Sequence, residues 1–82
     1  MKKTILIVDE DVMTRLTVFR FLVKDGYNVL GASTAQMAIK DLKCIHCHLV
    51  LLAVNMRSMD GMASLSRIRI INKVVPVILL CK

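Results

Sequence analysis

Apolar positions along this chain alternate between two rhythms. Residues 4–8 (Thr-Ile-Leu-Ile-Val) run without a break until Asp9, Glu10 and Asp11 stop them, which predicts a fully buried strand. Val12, Leu16, Phe19 and Val23 then recur every three or four residues, while Arg15, Arg20 and Lys24 fall elsewhere. That spacing predicts an amphipathic helix with those four side chains facing inward, closed at Asp25-Gly26, where glycine can take the left-handed cap. Residues 27–32 predict a second strand, weakened by Asn28 and Gly31. Ser33 or Thr34 caps a helix over about 35–43 that turns Ala38, Ile39 and Leu42 inward. Residues 49–54 are apolar throughout, as a strand covered on both faces must be. Gly61 opens a third helix through Leu65 and Ile68, and residues 74–80, with Pro76 near the start, predict a fourth strand.

Strand and helix therefore alternate as β-α-β-α-β-α-β with short linkers and no repeat, the order of an α/β chain with a parallel sheet and right-handed crossovers. In such sheets a ligand sits beyond the carboxyl ends of the strands. Those ends carry Asp9-Glu10-Asp11, Ala53-Val54-Asn55 and Cys81-Lys82.

Composition narrows the reading. With 82 residues the chain is a single domain, 1–82, and its 56% apolar content excludes disorder and exceeds the ~45–50% of ordinary soluble domains. The formal charge of +6 favours acidic partners, but the basic residues are spread over several elements, and no nucleic-acid-reading motif accompanies them. With two Phe, one Tyr and no Trp there is little to stack on single strands, so nucleic acid is not an expected partner. Lys2 and Lys3 precede only four apolar residues before the acids, too few for an export signal, and no run approaches the ~20 residues that span a bilayer. The expected location is the cytoplasm, with no membrane partner and the three cysteines reduced.

Two or three carboxylates directly after a buried strand repel one another and resist desolvation. Either a hard cation such as Mg²⁺ offsets that, or the acids serve the positive end of the next helix; spacing alone leaves both open.

At this point the motifs become recognisable together. Ile5-Leu6-Ile7-Val8-Asp9-Glu10-Asp11 resembles the opening strand and acid pair of response-regulator receiver domains, the chemotaxis-regulator-like modules of two-component signalling. Leu22-Val23-Lys24-Asp25-Gly26-Tyr27-Asn28-Val29 is similar to the family's exit from its first helix into its second strand. Leu49-Val50-Leu51-Leu52, then Met59-Asp60-Gly61-Met62, resemble the third strand, its loop and the third helix, and Pro76-Val77-Ile78-Leu79-Leu80 the fourth strand. The resemblance runs the whole chain in order. It implies a flavodoxin-like, doubly wound parallel sheet with strand order 2-1-3-4-5, here incomplete because the usual last helix-strand-helix is missing. It also implies a function: a strand-3 aspartate accepts phosphate from a histidine kinase with Mg²⁺, and a hydroxyl and a lysine hold the phosphoryl oxygens.

Carried over residue by residue, the resemblance breaks at the chemistry. Asp9 and Glu10 match the acid pair, Glu10 being one methylene longer than the more usual Asp. The acceptor position is Ala53, whose methyl has no lone pair to attack phosphorus. Asn55 holds the position whose backbone carbonyl ligates Mg²⁺ in the family, Arg57 replaces a proline, and Cys81 stands at the switch hydroxyl. The strand-5 lysine has no counterpart, and Lys82 is no substitute. The expectation is a pseudo-receiver that is no enzyme and acts by protein–protein binding, independent of phosphorylation. Asp9, Glu10 and Asn55 would line a residual acidic pocket that holds Mg²⁺ weakly at most. Alternatives are a working Mg²⁺-dependent phosphoacceptor whose acceptor was mutated or relocated, for instance to Asp60, or a basic nucleic-acid-associated regulator. Asp60 reads more simply as a helix cap.

Other residues carry rival chemistry. Cys44-Ile45-His46-Cys47-His48 fits the C-x-x-C-H haem pattern, with Met56, Met59 or Met62 as an axial ligand, and Cys44, Cys47 and His48 also suggest zinc. The segment lies between a helix and a strand in a chain with no export signal, which favours a structural role. Without a fifth strand, strand 4 is a very apolar edge guarded only by Lys73 and Pro76. A homodimer through Val74, Val75, Val77, Ile78, Leu79 and Leu80 and the uncovered sheet face is therefore expected, with a histidine kinase or another signalling protein as further partner.

Overall fold

The computed structural model describes residues 2–57 and 60–81. Met59 and Lys82, each part of a motif above, lie outside the described residues. The elements are β1 (Thr4–Val8), α1 (Val12–Lys24), β2 (Asn28–Ala32), α2 (Ala35–Cys44), β3 (Leu49–Ala53), α3 (Gly61–Ile71) and β4 (Val77–Leu80). The strands form one parallel sheet in the order β2-β1-β3-β4, the order expected for the first four strands.

Register assigns the two faces. Leu6 lies between Leu30 and Val50, Val8 between Ala32 and Leu52, and Val50 beside Val77. Together with Ala38, Leu42 and Ile68 from α2 and α3, these residues make the core. On the opposite face Ile7 lies between Gly31 and Leu51, and the Arg15 stem of α1 passes over Gly31, 3.4 Å from where a Cβ would stand. One helix on one face and two on the other is the doubly wound arrangement.

Local chemistry ends the elements where the sequence suggests. After α1, Tyr27 N–H donates to Leu22 C=O (3.1 Å) and Gly26 N–H to Val23 C=O (3.0 Å), with Gly26 at φ +95. This paired motif satisfies the last carbonyls and requires the left-handed residue that glycine supplies. Thr34 Oγ1 accepts from Met37 N–H (3.1 Å) to start α2. Asp60 Oδ1 accepts from Met62 and Ala63 N–H (2.9 and 3.0 Å) to start α3, so Asp60 is a helix cap. Gly61 N–H donates to Val54 C=O at 2.8 Å, and a Cβ on Gly61 would lie 2.6 Å from Val54 Cα. Only glycine lets α3 begin this close to the end of β3.

Several expectations change. Strand 4 begins at Val77 rather than 74, because Asn72 Oδ1 accepts from Val74 and Val75 N–H and Arg69 Nη1 donates to Val75 C=O, holding 72–75 in a turn. Val75 is thereby buried in the core, so it is unavailable to the interface expected of it, while Val74 points out at 86% exposure. Strands 2 and 3 are each one residue shorter than expected, starting at Asn28 and ending at Ala53. The inward stripe of α1 is only partly inward: Val12, Leu16 and Val23 are 59%, 42% and 48% exposed. This helix lies over β1 and β2 with no second helix beside it among the described residues, so one flank stays uncovered. For the same reason β3 is not covered on both faces: Leu49 and Leu51 are half-buried, whereas Val50 and Leu52 are fully buried.

Candidate functional site

The carboxyl ends of β1 and β3 lie side by side, Val8 in register with Leu52. Asp9 follows β1 immediately, 1% exposed, and its N–H donates to Ala32 C=O (3.0 Å) as if the strand continued. Its Oδ1 accepts the Asp11 N–H at 2.9 Å, turning the chain into α1. Arg15 Nη1 reaches back from α1 to Asp9 C=O at 2.6 Å. Asp11 is the N-cap of α1, and its Oδ2 accepts from the Thr14 hydroxyl. Asp11 thus stands at the helix start by position, and its side chain bonds no backbone N–H of the first turn.

Across the cleft, Ala53 closes β3 with its methyl fully buried. Asn55 is exposed, Met56 is buried, and Arg57 is exposed, its backbone N–H donating to Glu10 Oε1. Glu10, Asp11, Val12 and Arg57 line an open cleft of about 530 Å³. Cys81 lies exposed beyond β4.

Mg²⁺ asks for about six oxygens in a near-octahedral shell. In this arrangement Asp9 Oδ1 and Glu10 Oε1 accept backbone N–H groups, Ala53 contributes no side-chain oxygen, and the basic residue Arg57 lines the same cleft. No group of three or more His, Cys, Asp or Glu among the described residues is placed to hold a metal ion, the acid cleft included. The residues present do not fit Mg²⁺.

The C-x-x-C-H segment resolves into structural pieces. Cys44 is exposed at the end of α2, while Cys47 is 3% exposed and belongs to the core. Burial, then the nearby Asp41 carboxylate, pushes the Cys47 thiol pKa up, which makes it a poor thiolate ligand. His48 extends the β1–β3 pairing by one rung: its N–H donates to Thr4 C=O (2.8 Å), and its Nδ1 accepts the Thr4 N–H (3.0 Å). The His46 ring packs edge-on, 4.7 Å away. Desolvation, Lys3 and His46 hold the His48 pKa below its ordinary value.

A folded-state pKa below the unfolded one means the folded state binds fewer protons. Stability from His48 is then complete above the unfolded value, near 6.5, and is lost as pH falls through the folded value. Thermal melts from about pH 7 to about pH 5 should show wild type losing more than His48→Asn, whose side-chain oxygen can accept from Thr4 without titrating. Equal slopes would remove His48 from the acid response.

Two linkages were invisible along the chain: Glu10 to Arg57, and Thr4 to His48. The one available signal was Arg57 itself, a charged residue where the resemblance leads one to expect proline.

A fold of this order with its acids and loops at these strand ends can be compared with known proteins. The family profile of the response regulator receiver domain matches residues 5–82. The chain belongs to the response-regulator receiver family. It is 35% identical over 77 residues to the transcriptional regulatory protein ZraR of Escherichia coli K12, which covers 93% of this chain and 17% of ZraR. It is 32% identical over 77 residues to the autoinducer 1 sensor kinase/phosphatase LuxN of Vibrio campbellii, covering 94% of this chain and 9% of LuxN. A CheY-like receiver domain protein of Methanospirillum hungatei superposes with a TM-score of 0.92 at 25% identity, over 99% of this chain and 65% of that one. The receiver chain thus spans a small part of the curated relatives it matches, and receivers are modules of two-component signalling that engage histidine kinases and other signalling proteins. No helix among the described residues is long and apolar enough to cross a membrane.

Proposed function

We propose that this receiver acts in two-component signalling by binding, without accepting phosphate. The observation that carries the reading is Ala53: at the end of β3, where the family places its acceptor carboxylate, there is a buried methyl group. A methyl can neither attack phosphorus nor help hold a metal. Asp60, the one acid in the following loop, has its carboxylate occupied at the start of α3. Cys81 at the switch position lacks the strong hydroxyl donor that would read a phosphoryl oxygen. Asp9, Glu10 and Asn55 are on this reading remnants of the acid pocket, and Arg57 fills part of it.

Binding then falls to surfaces that do not depend on a phosphoryl group. β4 is an edge strand among the described residues, with Ile78 and Leu79 49% and 37% exposed. Next to it, half-buried Leu49 and Leu51 and the bare flank of α1 continue one apolar face. We infer that a second copy of the chain covers this face, edge against edge, through Val77, Ile78, Leu79 and Leu80, with Val74 at the rim. Histidine kinases or other signalling proteins are the further partners, and the cytoplasm the place of action.

The test is chemical. Incubated with a small phosphodonor and Mg²⁺ and analysed intact by mass spectrometry, the wild-type chain should gain no phosphoryl group. An acid-stable, base-labile phosphate on any aspartate would restore the phosphoacceptor reading.

A further inference from the structure

Basic residues that the sequence spreads over several elements are gathered by the fold at one end. All four strands are parallel, so their first residues share one edge of the sheet. Asn28 N–H donates to Lys3 C=O (2.9 Å), His48 N–H to Thr4 C=O (2.8 Å) and Val50 N–H to Pro76 C=O (2.9 Å), which sets the four starts side by side. Each helix runs back to that edge before the next strand begins, and each carries a base in its last turn: Lys24, Lys43 and Arg69. Lys2 and Lys3 lead into β1, and Lys73 lies in the turn before β4. Against these six bases the described residues of the same end include two acids, Asp25 at the close of α1 and Asp41 near the end of α2. Asp9, Glu10, Asp11 and Asp60 all belong to the opposite end, where the helices start.

Helix dipoles favour a base in the last turn, which accounts for Lys24, Lys43 and Arg69. They do not account for Lys2, Lys3 and Lys73, which lie outside the helices. The five lysines are exposed, whereas Arg69 is half-buried with its Nη1 on Val75 C=O. Apolar side chains stand among them: Tyr27, Ile45 and Val74 are all exposed, each on the segment that leads into a strand.

We propose that this amino-terminal end of the sheet is a docking surface for a protein segment that carries acidic and apolar side chains together. Its carboxylates meet Lys2, Lys3, Lys24, Lys43 and Lys73, and its apolar side chains cover Tyr27, Ile45 and Val74. Opposite charge steers the encounter and fixes the orientation, while the apolar contacts form the part of the interface that excludes water. A nucleic-acid backbone would match the lysines but leave the three apolar side chains against phosphate and sugar. A bilayer takes up the apolar face of an amphipathic helix, and here the exposed apolar groups stand on three separate loops. The surface lies at the end of the sheet, apart from the β4 edge proposed for pairing, and it uses nothing of the acceptor position.

The probe is a synthetic peptide of glutamates and leucines, titrated into ¹⁵N-labelled protein. Amide signals of residues 2–4, 27–28, 45–48 and 72–75 should shift, while those of 9–11 and 78–80 stay in place. A Lys3→Glu, Lys73→Glu double variant, altered at two exposed positions, should bind the peptide about tenfold more weakly or worse, the effect of turning two attractive surface contacts into repulsive ones. A peptide of glutamates and serines should also lose about tenfold, since it keeps the charge without the apolar area. Absence of shifts at a large excess of the glutamate–leucine peptide, shifts confined to 78–80, or equal binding by the double variant would overturn the docking surface. Equal binding of the serine peptide, or tighter binding of a DNA duplex or of phosphatidylserine vesicles, would overturn the choice of partner. No readout involves phosphorylation, so a phosphorylated aspartate would sink the proposed function and leave these titrations to decide the inference.

Discussion

Leu6→Ala should destabilise the fold by about 2–5 kcal/mol, the range for deleting a fully buried leucine side chain. Leu6 is 0% exposed in a central strand, flanked in register by Leu30 and Val50, and α2 and α3 close over that face. No nearby side chain is free to fill the space, since Val8, Val50, Leu52 and Ile68 are themselves fully buried. A chain this size has a total stability of roughly 4–12 kcal/mol at ~0.05–0.15 kcal/mol per residue, so the loss takes a large share of the whole. Urea unfolding followed by circular dichroism measures it, with Met13→Ala as reference. Met13 is 69% exposed on α1, and its truncation should stay within about 0.5 kcal/mol of wild type. If the two variants lost equal stability, the α2–α3 face of the sheet would not be the core.

The second large effect concerns the proposed pairing of two copies. Ile78 lies on the less covered face of the sheet, in register with half-buried Leu51, and is 49% exposed. Ile78→Lys should convert the dimer to a monomer while leaving the fold intact, because in the monomer an ammonium there stays in water. In the dimer it would be buried without a partner, at a cost of several kcal/mol. A stable interface needs about 800 Å² per partner, roughly a seventh of this chain's 5264 Å² surface. β4 with the neighbouring sheet face and the α1 flank is the apolar face proposed to supply it. Sedimentation under reducing conditions, which exclude links through exposed Cys44 and Cys81, reads the mass directly. A wild type that remains monomeric through the micromolar range would end this proposal.

Much of the architecture was legible because it rests on local rules. Gly26, Thr34 and Asp60 stop or start helices through their own backbone freedom or side-chain oxygens, so their roles follow from residue type and position. The unbroken apolar runs at β1 and β3 mark central strands, and both are central in the sheet. The start of β4 differs from the sequence pattern because Val74 and Val75 have strand-like side chains, while Asn72 and Arg69 capture their backbone for a turn. The stripe on α1 is apolar yet partly exposed, since periodicity shows which face is apolar and not whether anything covers it.

At the candidate site the same division holds. That Ala53 cannot accept phosphate is a property of a methyl group, true in any conformation, and it was decided by the sequence alone, as were the alternation of elements and the acid triplet after β1. Only the folded chain decided that Glu10 meets Arg57, that His48 completes a rung with Thr4, and that Cys47 sits in the core while Cys44 does not. The physical reason is separation along the chain: a hydrogen bond or an electrostatic contact acts over a few ångströms, and residues 44 or 47 positions apart come within that reach only when the parallel sheet sets β1 beside β3.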